Sequence, residues 1–174
     1  MRKHNGMRPQ DIAILLKICS GNNANWQLVP LSNALHISIS EISESLNRSR
    51  LAHLVDYNKK KVSRQNLLEF LEHGVQYVFP QAPGAIVRGM PTAHSHPSMK
   101  QLFISEVDYV WPDAKGTNMG MLIEPLYPKQ TEAIQEDPLF YELLALVDVI
   151  RVGKVREVKY AVAELKKHLN EPSH

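Results

Sequence analysis

The stretch from Leu31 to Val55 reads LSNALHISISEISESLNRSRLAHLV, and its pattern decides how the N-terminal part of the chain folds. Leu31 and Leu35 stand one turn apart, which predicts a short helix over 31–35, and Ser38 opens another that runs to about Leu51. Ser38 followed by Glu41 has the Ser-x-x-Glu spacing of a capping box, in which hydroxyl and carboxylate each take an amide the helix leaves unpaired. Leu35, Ile37, Ile42 and Leu46 form an aliphatic seam that turns inward and fixes the angle between the two helices. The opposite flank then carries Ser38, Ser40, Ser43, Glu44, Asn47 and Arg48. The serines, Asn47 and Arg48 are short or bifunctional polar groups able to reach base edges in a major groove, and a carboxylate such as Glu44 can accept from cytosine N4. Arg50, Lys59, Lys60, Lys61 and Arg64 follow closely enough to serve phosphates beside that groove.

Working outward, residues 9–20 place Ile12, Leu15, Leu16 and Ile18 or Cys19 at helical spacing, with Pro9 in the first turn and Gly21 past the end. Gly21 to Asn25 is a polar turn, and Trp26, Leu28 and Val29 make a short apolar link. Residues 54–64 read either as a small β-hairpin with a basic tip or as a basic linker. A helix over 66–73 ends at Gly74, and 75–79 reads as a strand closed by Pro80. This division gives two parts, 1–73 and 74–174. In the second, short apolar runs at 85–87, 102–104, 107–111 and 121–123, separated by Gly and Pro turns, predict a small mixed sheet. Asp137-Pro138 opens a helix carrying Leu139, Leu143, Leu144, Leu146, Val147 and Ile150; after Gly153 a last helix over 154–169 has Val155, Val158, Ala161, Val162 and Leu165 on one stripe. The expected fold class is therefore mixed α+β: an N-terminal winged helix-turn-helix, then a small mixed sheet packed by C-terminal helices.

Composition sets the outer bounds. The 174 residues are 44% hydrophobic, enough for a real core, and no apolar run approaches the ~20 residues of a spanning helix. The apolar stretch after the basic N-terminus is broken by Asp11 and Lys17 and lacks a small-residue cleavage site, so no signal peptide is read. Cys19 is the single cysteine, which excludes an intramolecular disulfide and a cysteine zinc site and points to a reducing cytoplasm. Charge is uneven: residues 1–73 carry ten Lys and Arg against six Asp and Glu, 74–150 carry four against nine, and 151–174 carry six against three. A basic N-terminal third suits a polyanion, and a solvated surface gives the same pattern.

The Leu31–Val55 stretch resembles the helix-turn-helix of bacterial winged-helix regulators of the MarR-like type, in which one helix ends in Leu-Gly-Ile-Ser and the next contains Val-Ser and closes with Gly-Leu-Val. Leu35, Ile37, Ser38, Ile42, Ser43, Leu46, Leu54 and Val55 match. His36 and His53 replace the two glycines, which implies left-handed backbone at both, and Ser49 takes a customary apolar position. A looser similarity, carried by Phe79-Pro80, Arg88 to Pro97, Glu124 to Pro128, and Tyr141 to Asp148 with Arg151, is to bacterial helix-turn-helix proteins of unassigned function, some encoded beside toxins. The resemblance implies a non-enzymatic, sequence-selective regulator of transcription that binds double-stranded DNA as a homodimer, without a cofactor. The alternative is an antitoxin whose C-terminal part neutralises a cognate toxin protein.

Other constellations are weaker. His94 and His96 have a spacing that metals use, but two ligands do not make a site and no third stands at a characteristic distance. There is no phosphate-binding glycine loop and no Gly-x-Ser-x-Gly, and Cys19 lies on the apolar side of its helix. Arg88-Gly89 before Met90-Pro91 reads as an external contact loop or an ordinary turn. Glu132, Glu136, Asp137 and Glu142 read as helix-start carboxylates or as a face for a basic partner. The last helix, with Lys154, Arg156, Lys159, Lys166 and Lys167, could offer a second cationic face or build a dimer.

Overall fold

The computed structural model describes residues 5–21 and 25–170; Met1 to His4 and Asn22, Asn23 and Ala24 of the expected polar turn lie outside the described residues. Among the described residues the fold is mixed α+β, with eight helices and one three-stranded sheet. The helices are α1 Pro9–Ser20, α2 Leu28–Leu35, α3 Ile39–Leu51, α4 Arg64–His73, α5 Val75–Val78, α6 Gln130–Ala133, α7 Pro138–Val152 and α8 Val155–Asn170. The strands are β1 Ile86–Pro91, β2 Tyr109–Pro112 and β3 Asn118–Leu122, with a 3-10 turn at Ala93–Ser95 after β1.

Helix α1 is central. Its sequence suggests a single apolar stripe, yet Asp11, Ile12, Ala13, Ile14, Leu15 and Leu16 are buried in succession. The reason is that α1 packs against α2 and α3 on one side and α7 on the other, and a helix covered on both sides is apolar nearly all round. Helix α7 is buried without interruption from Leu143 to Ile150. Asp137 caps it, accepting from the Phe140 amide at 2.9 Å, and also receives the Lys17 ammonium from α1. Helix α8 lays Ala161, Leu165 and Leu169 against α7 and α4. Of the expected stripe, Ala161 and Leu165 are buried, Val158 and Val162 are half-buried, and Val155 is exposed. One hydrophobic cluster runs through the expected boundary at residues 73 and 74, from Ile12 and Leu67 to Trp111 and Leu165.

Two expectations are corrected. Residues 75–78 form α5 rather than a strand, stacked on α4 through Gly74; Val75 is buried, and Phe79 meets Phe70 edge-on at 6.4 Å. The 75–79 run is too short for its period to decide, and contact with α4 and α7 selects the helix. The run 102–104 is not a strand, since its amides at Leu102 and Phe103 turn back to the Met99 carbonyl. The remaining three runs form the sheet. β1 is antiparallel to both neighbours, pairing Met90 with Trp111 and Val87 with Gly120, while β2 and β3 run parallel with Val110 opposite Leu122. Each strand thus pairs with the other two. So tight a closure requires glycine at the crossing: a Cβ on Gly89 would stand 1.9 Å from the Trp111 carbonyl oxygen.

A buried polar network bolts the sheet to α7. Asp148 accepts from Thr92 Oγ1 at 2.8 Å, Trp111 Nε1 at 2.6 Å and Arg151 Nη1 at 3.0 Å, while Arg151 Nε donates to the Phe79 carbonyl at 3.0 Å. Burial pushes the Asp148 carboxyl upward, and Arg151 and the two neutral donors oppose it. Phe79, Thr92, Asp148 and Arg151, all in the loosely similar segments, therefore meet at one structural joint.

Candidate nucleic-acid interface

Helices α2 and α3 are joined as the seam predicts. Leu31, Leu35, Ile37, Ile42 and Leu46 are all buried, each contributing about 1.5–3 kcal/mol through burial of its aliphatic side chain. Ser38 caps α3 by accepting from the Glu41 amide at 3.2 Å. The reciprocal half of the box is replaced by a tertiary bond, Gln10 Nε2 donating to Glu41 Oε2 at 3.0 Å, which ties the start of α3 to α1. His36 and His53 both adopt left-handed backbone, with φ of 56° and 60°. At the end of α3 the His53 amide donates to Arg50 O and the Leu54 amide to Ser49 O, the bond pair of a Schellman motif whose left-handed position normally holds glycine.

The outer flank of α3 leaves Ser38, Ser40 and Glu44 exposed and Ser43 and Asn47 half-buried. The basic segment after α3 folds back against this flank. A single antiparallel bridge, Val55 to Val62, forms its base. Its tip is organised by Asp56, whose carboxylate accepts from the Lys60 and Lys61 amides at 2.7 and 3.1 Å; those two amides hold it below the usual carboxylate range. Lys59 sits at a positive φ of 57°, and its ammonium donates to Asn47 Oδ1 at 3.0 Å. Lys60 is held twice by Trp26: the indole Nε1 donates to its carbonyl at 2.8 Å, and its ammonium lies 4.7 Å from the ring centroid. Arg50 lies 5.6 Å over the ring of Tyr57, which is 82% exposed, and Lys61 is open to solvent.

The structure therefore brings Asn47 and Lys59 into contact and sets Arg50, Lys60 and Lys61 on or beside the same loop. It does not bring Arg48 or Arg64 to that surface. Arg48 is a correction: it is 7% exposed and donates through Nε and Nη2 to Asp11 at 2.9 and 2.8 Å. Its guanidinium faces α1, and hydrogen bonding to Asp11 raises its affinity for its proton further. Arg64 likewise turns inward, donating to the carbonyls of Leu169 and Cys19 at 3.4 Å, the last turns of α8 and α1. Ser45 and Ser49 are fully buried on the seam side of α3, and neither hydroxyl has a hydrogen-bond partner among the described residues.

Trp26, Asp56 and Tyr57 were not among the expected site residues. Tyr57 beside the Lys59–Lys61 run is the signal that could have found the loop, since ring faces hold cations as well as bases, whereas Trp26, 34 residues before Lys60, reaches it only through the fold. His94 and His96 are used within the fold: His94 Nε2 meets the Val107 carbonyl at 3.0 Å, and His96 Nδ1 accepts from the Ser98 amide at 3.1 Å while its ring stands edge-on to Tyr141 at 4.3 Å. Burial pushes His96 down to about 4 and the Cys19 thiol up to about 11. Among the described residues no helix is long and apolar enough to cross a membrane. Comparison with protein-family models, curated proteins and solved structures gives no match to this chain.

Proposed function

We propose that the chain is a sequence-selective DNA-binding regulator of winged helix-turn-helix type, in which α3 enters a major groove and the 54–64 hairpin acts as a minimal wing. The observation that carries this reading is the Lys59–Asn47 contact, which fastens a basic loop beside the polar flank of α3. Ser40, Ser43 and Asn47 read bases, and Glu44 accepts from cytosine N4. Asn47 recognises adenine bidentately only with both amide atoms available, so the Lys59 ammonium exchanges Oδ1 for a phosphate on binding. Arg50, Lys60 and Lys61 complete the phosphate contacts. Two copies in two-fold relation would set their α3 helices about 34–36 Å apart on a palindromic site.

The electrostatic half is tested by fluorescence anisotropy on a 30-base-pair duplex between 50 and 200 mM salt. Four phosphate contacts give a slope of log K against log salt of about −3.6, and replacing Lys59, Lys60 and Lys61 by Ala lowers its magnitude by about 3. A slope unchanged by the triple replacement removes the loop from the interface.

A further inference from the structure

A second surface lies at the N-terminal end of α8, the end away from the Arg64 contact. Helix α8 spans about 24 Å; its C-terminal end holds Leu169, whose carbonyl accepts from Arg64 at the base of the hairpin, and its N-terminal end opens onto a groove of about 610 Å³. The groove is lined by Leu102, Phe103 and Ile104 on one side and by Lys154, Val155 and Arg156 on the other. Leu102 is 54%, Val155 73% and Ile104 98% exposed. Single exposed aliphatics are ordinary on a protein surface, but three on the walls of one concavity mark an interaction site.

The exposure is built in. Met99, at the start of this turn, is fully buried and its carbonyl accepts from the Leu102 and Phe103 amides, while the Phe103 ring is fixed against Tyr160 of α8 at 5.5 Å. These anchors hold Ile104 outward. The charge around the groove is one-sided. Lys154 and Arg156 flank Val155, and neither side chain is engaged in an ion pair among the described residues. The lining carboxylate, Glu157, is buried and turned back to accept from the Lys154 amide at 3.0 Å. The positive end of the α8 dipole faces the same opening.

We infer that this groove docks an acidic amphipathic helix of a partner protein, its aliphatic side chains against Leu102, Ile104 and Val155 and its carboxylates on Lys154 and Arg156. An apolar slot with uncompensated cations on its rim selects for apolar anchors flanked by negative charge, the helix-in-groove mode of recognition. The surface stands apart from α3, so a partner docks here without displacing DNA, and the inference does not depend on the DNA reading.

The test uses the full chain and a fluorescein-labelled 16-residue helix with leucines on one face and glutamates on the other, with a lysine-for-glutamate counterpart as control. The acidic helix binds, the basic one does not, and Ile104→Glu and the Lys154→Glu/Arg156→Glu pair each weaken binding at least tenfold while circular dichroism and duplex binding stay at wild-type values. No binding of the acidic helix, equal binding of both helices, or variants that bind as well as wild type overturns the inference. A wild-type dimer in sedimentation that Ile104→Glu dissociates also overturns it, because the groove then belongs to a second copy of the chain.

Discussion

Replacing Arg48 by Ala separates the two roles that its position on α3 allows. In the structure Arg48 donates twice to Asp11, at 2.9 and 2.8 Å, with the carboxylate side chain fully buried and the guanidinium 8% exposed. Removing the cation leaves Asp11 with the Arg8 amide at 2.9 Å as its donor among the described hydrogen bonds, in a site shut off from water. Breaking a buried pair from one side costs about 3–5 kcal/mol, far more than an exposed ion pair contributes. With a urea dependence of about 2 kcal/mol per molar, the unfolding midpoint falls by about 1.5–2.5 M. The double variant Asp11→Leu/Arg48→Met recovers most of that loss, because an apolar pair of similar volume leaves no stranded charge. Chemical denaturation followed by far-ultraviolet circular dichroism measures both. A single variant within 0.5 kcal/mol of wild type, combined with weakened duplex binding, would refute the reasoning and return Arg48 to the groove.

Three further outcomes follow from local geometry. His96 is pushed down to about 4 by burial, so its folded form rejects a proton that the unfolded chain accepts; the stability is complete above about pH 6.5 and is lost as pH falls toward 4. Wild type should lose roughly 2–3 kcal/mol more than His96→Gln between pH 7.5 and 4.5, and parallel stability profiles would count against this. His36→Gly and His53→Gly each relieve left-handed strain and raise stability by about 0.5–1 kcal/mol after the greater freedom of glycine in the unfolded chain, as read by thermal unfolding. Ser49→Ala removes a buried hydroxyl that has no partner among the described residues and is neutral or stabilising by up to about 1 kcal/mol; a loss above 1 kcal/mol would show that the hydroxyl is satisfied.

The packing of α2 against α3 was legible because its determinants are local. Ser38 as cap, the Leu35–Leu46 seam and the two left-handed histidines follow from residue type and spacing, and the structure places all of them as expected. Asp137-Pro138 and Gly153 marked α7 and α8 for the same reason. What could not be read depends on partners distant in sequence. Arg48 has a helical position that suits either flank, and only Asp11, 37 residues earlier, draws it inward. Arg64 is claimed by carbonyls at the ends of α1 and α8. The 75–79 run has strand composition but too few residues to resist the helix that α4 and α7 impose. In the candidate interface, the residue types on α3 were visible beforehand, whereas the attachment of the loop through Trp26, Asp56 and Lys59 needed the fold.

The central claim, that the open flank of α3 reads base pairs, is tested most directly by selecting bound duplexes from a randomised pool with wild-type protein and with Ser43→Ala and Asn47→Ala. Both side chains are half-buried at most and neither closes the core, so the variants fold. The account predicts that wild type enriches a single motif and that Asn47→Ala relaxes it at one position, with a loss of about 1–3 kcal/mol for that contact and unchanged stability. Absence of any enriched motif, or the same motif bound equally well by both variants, would contradict it.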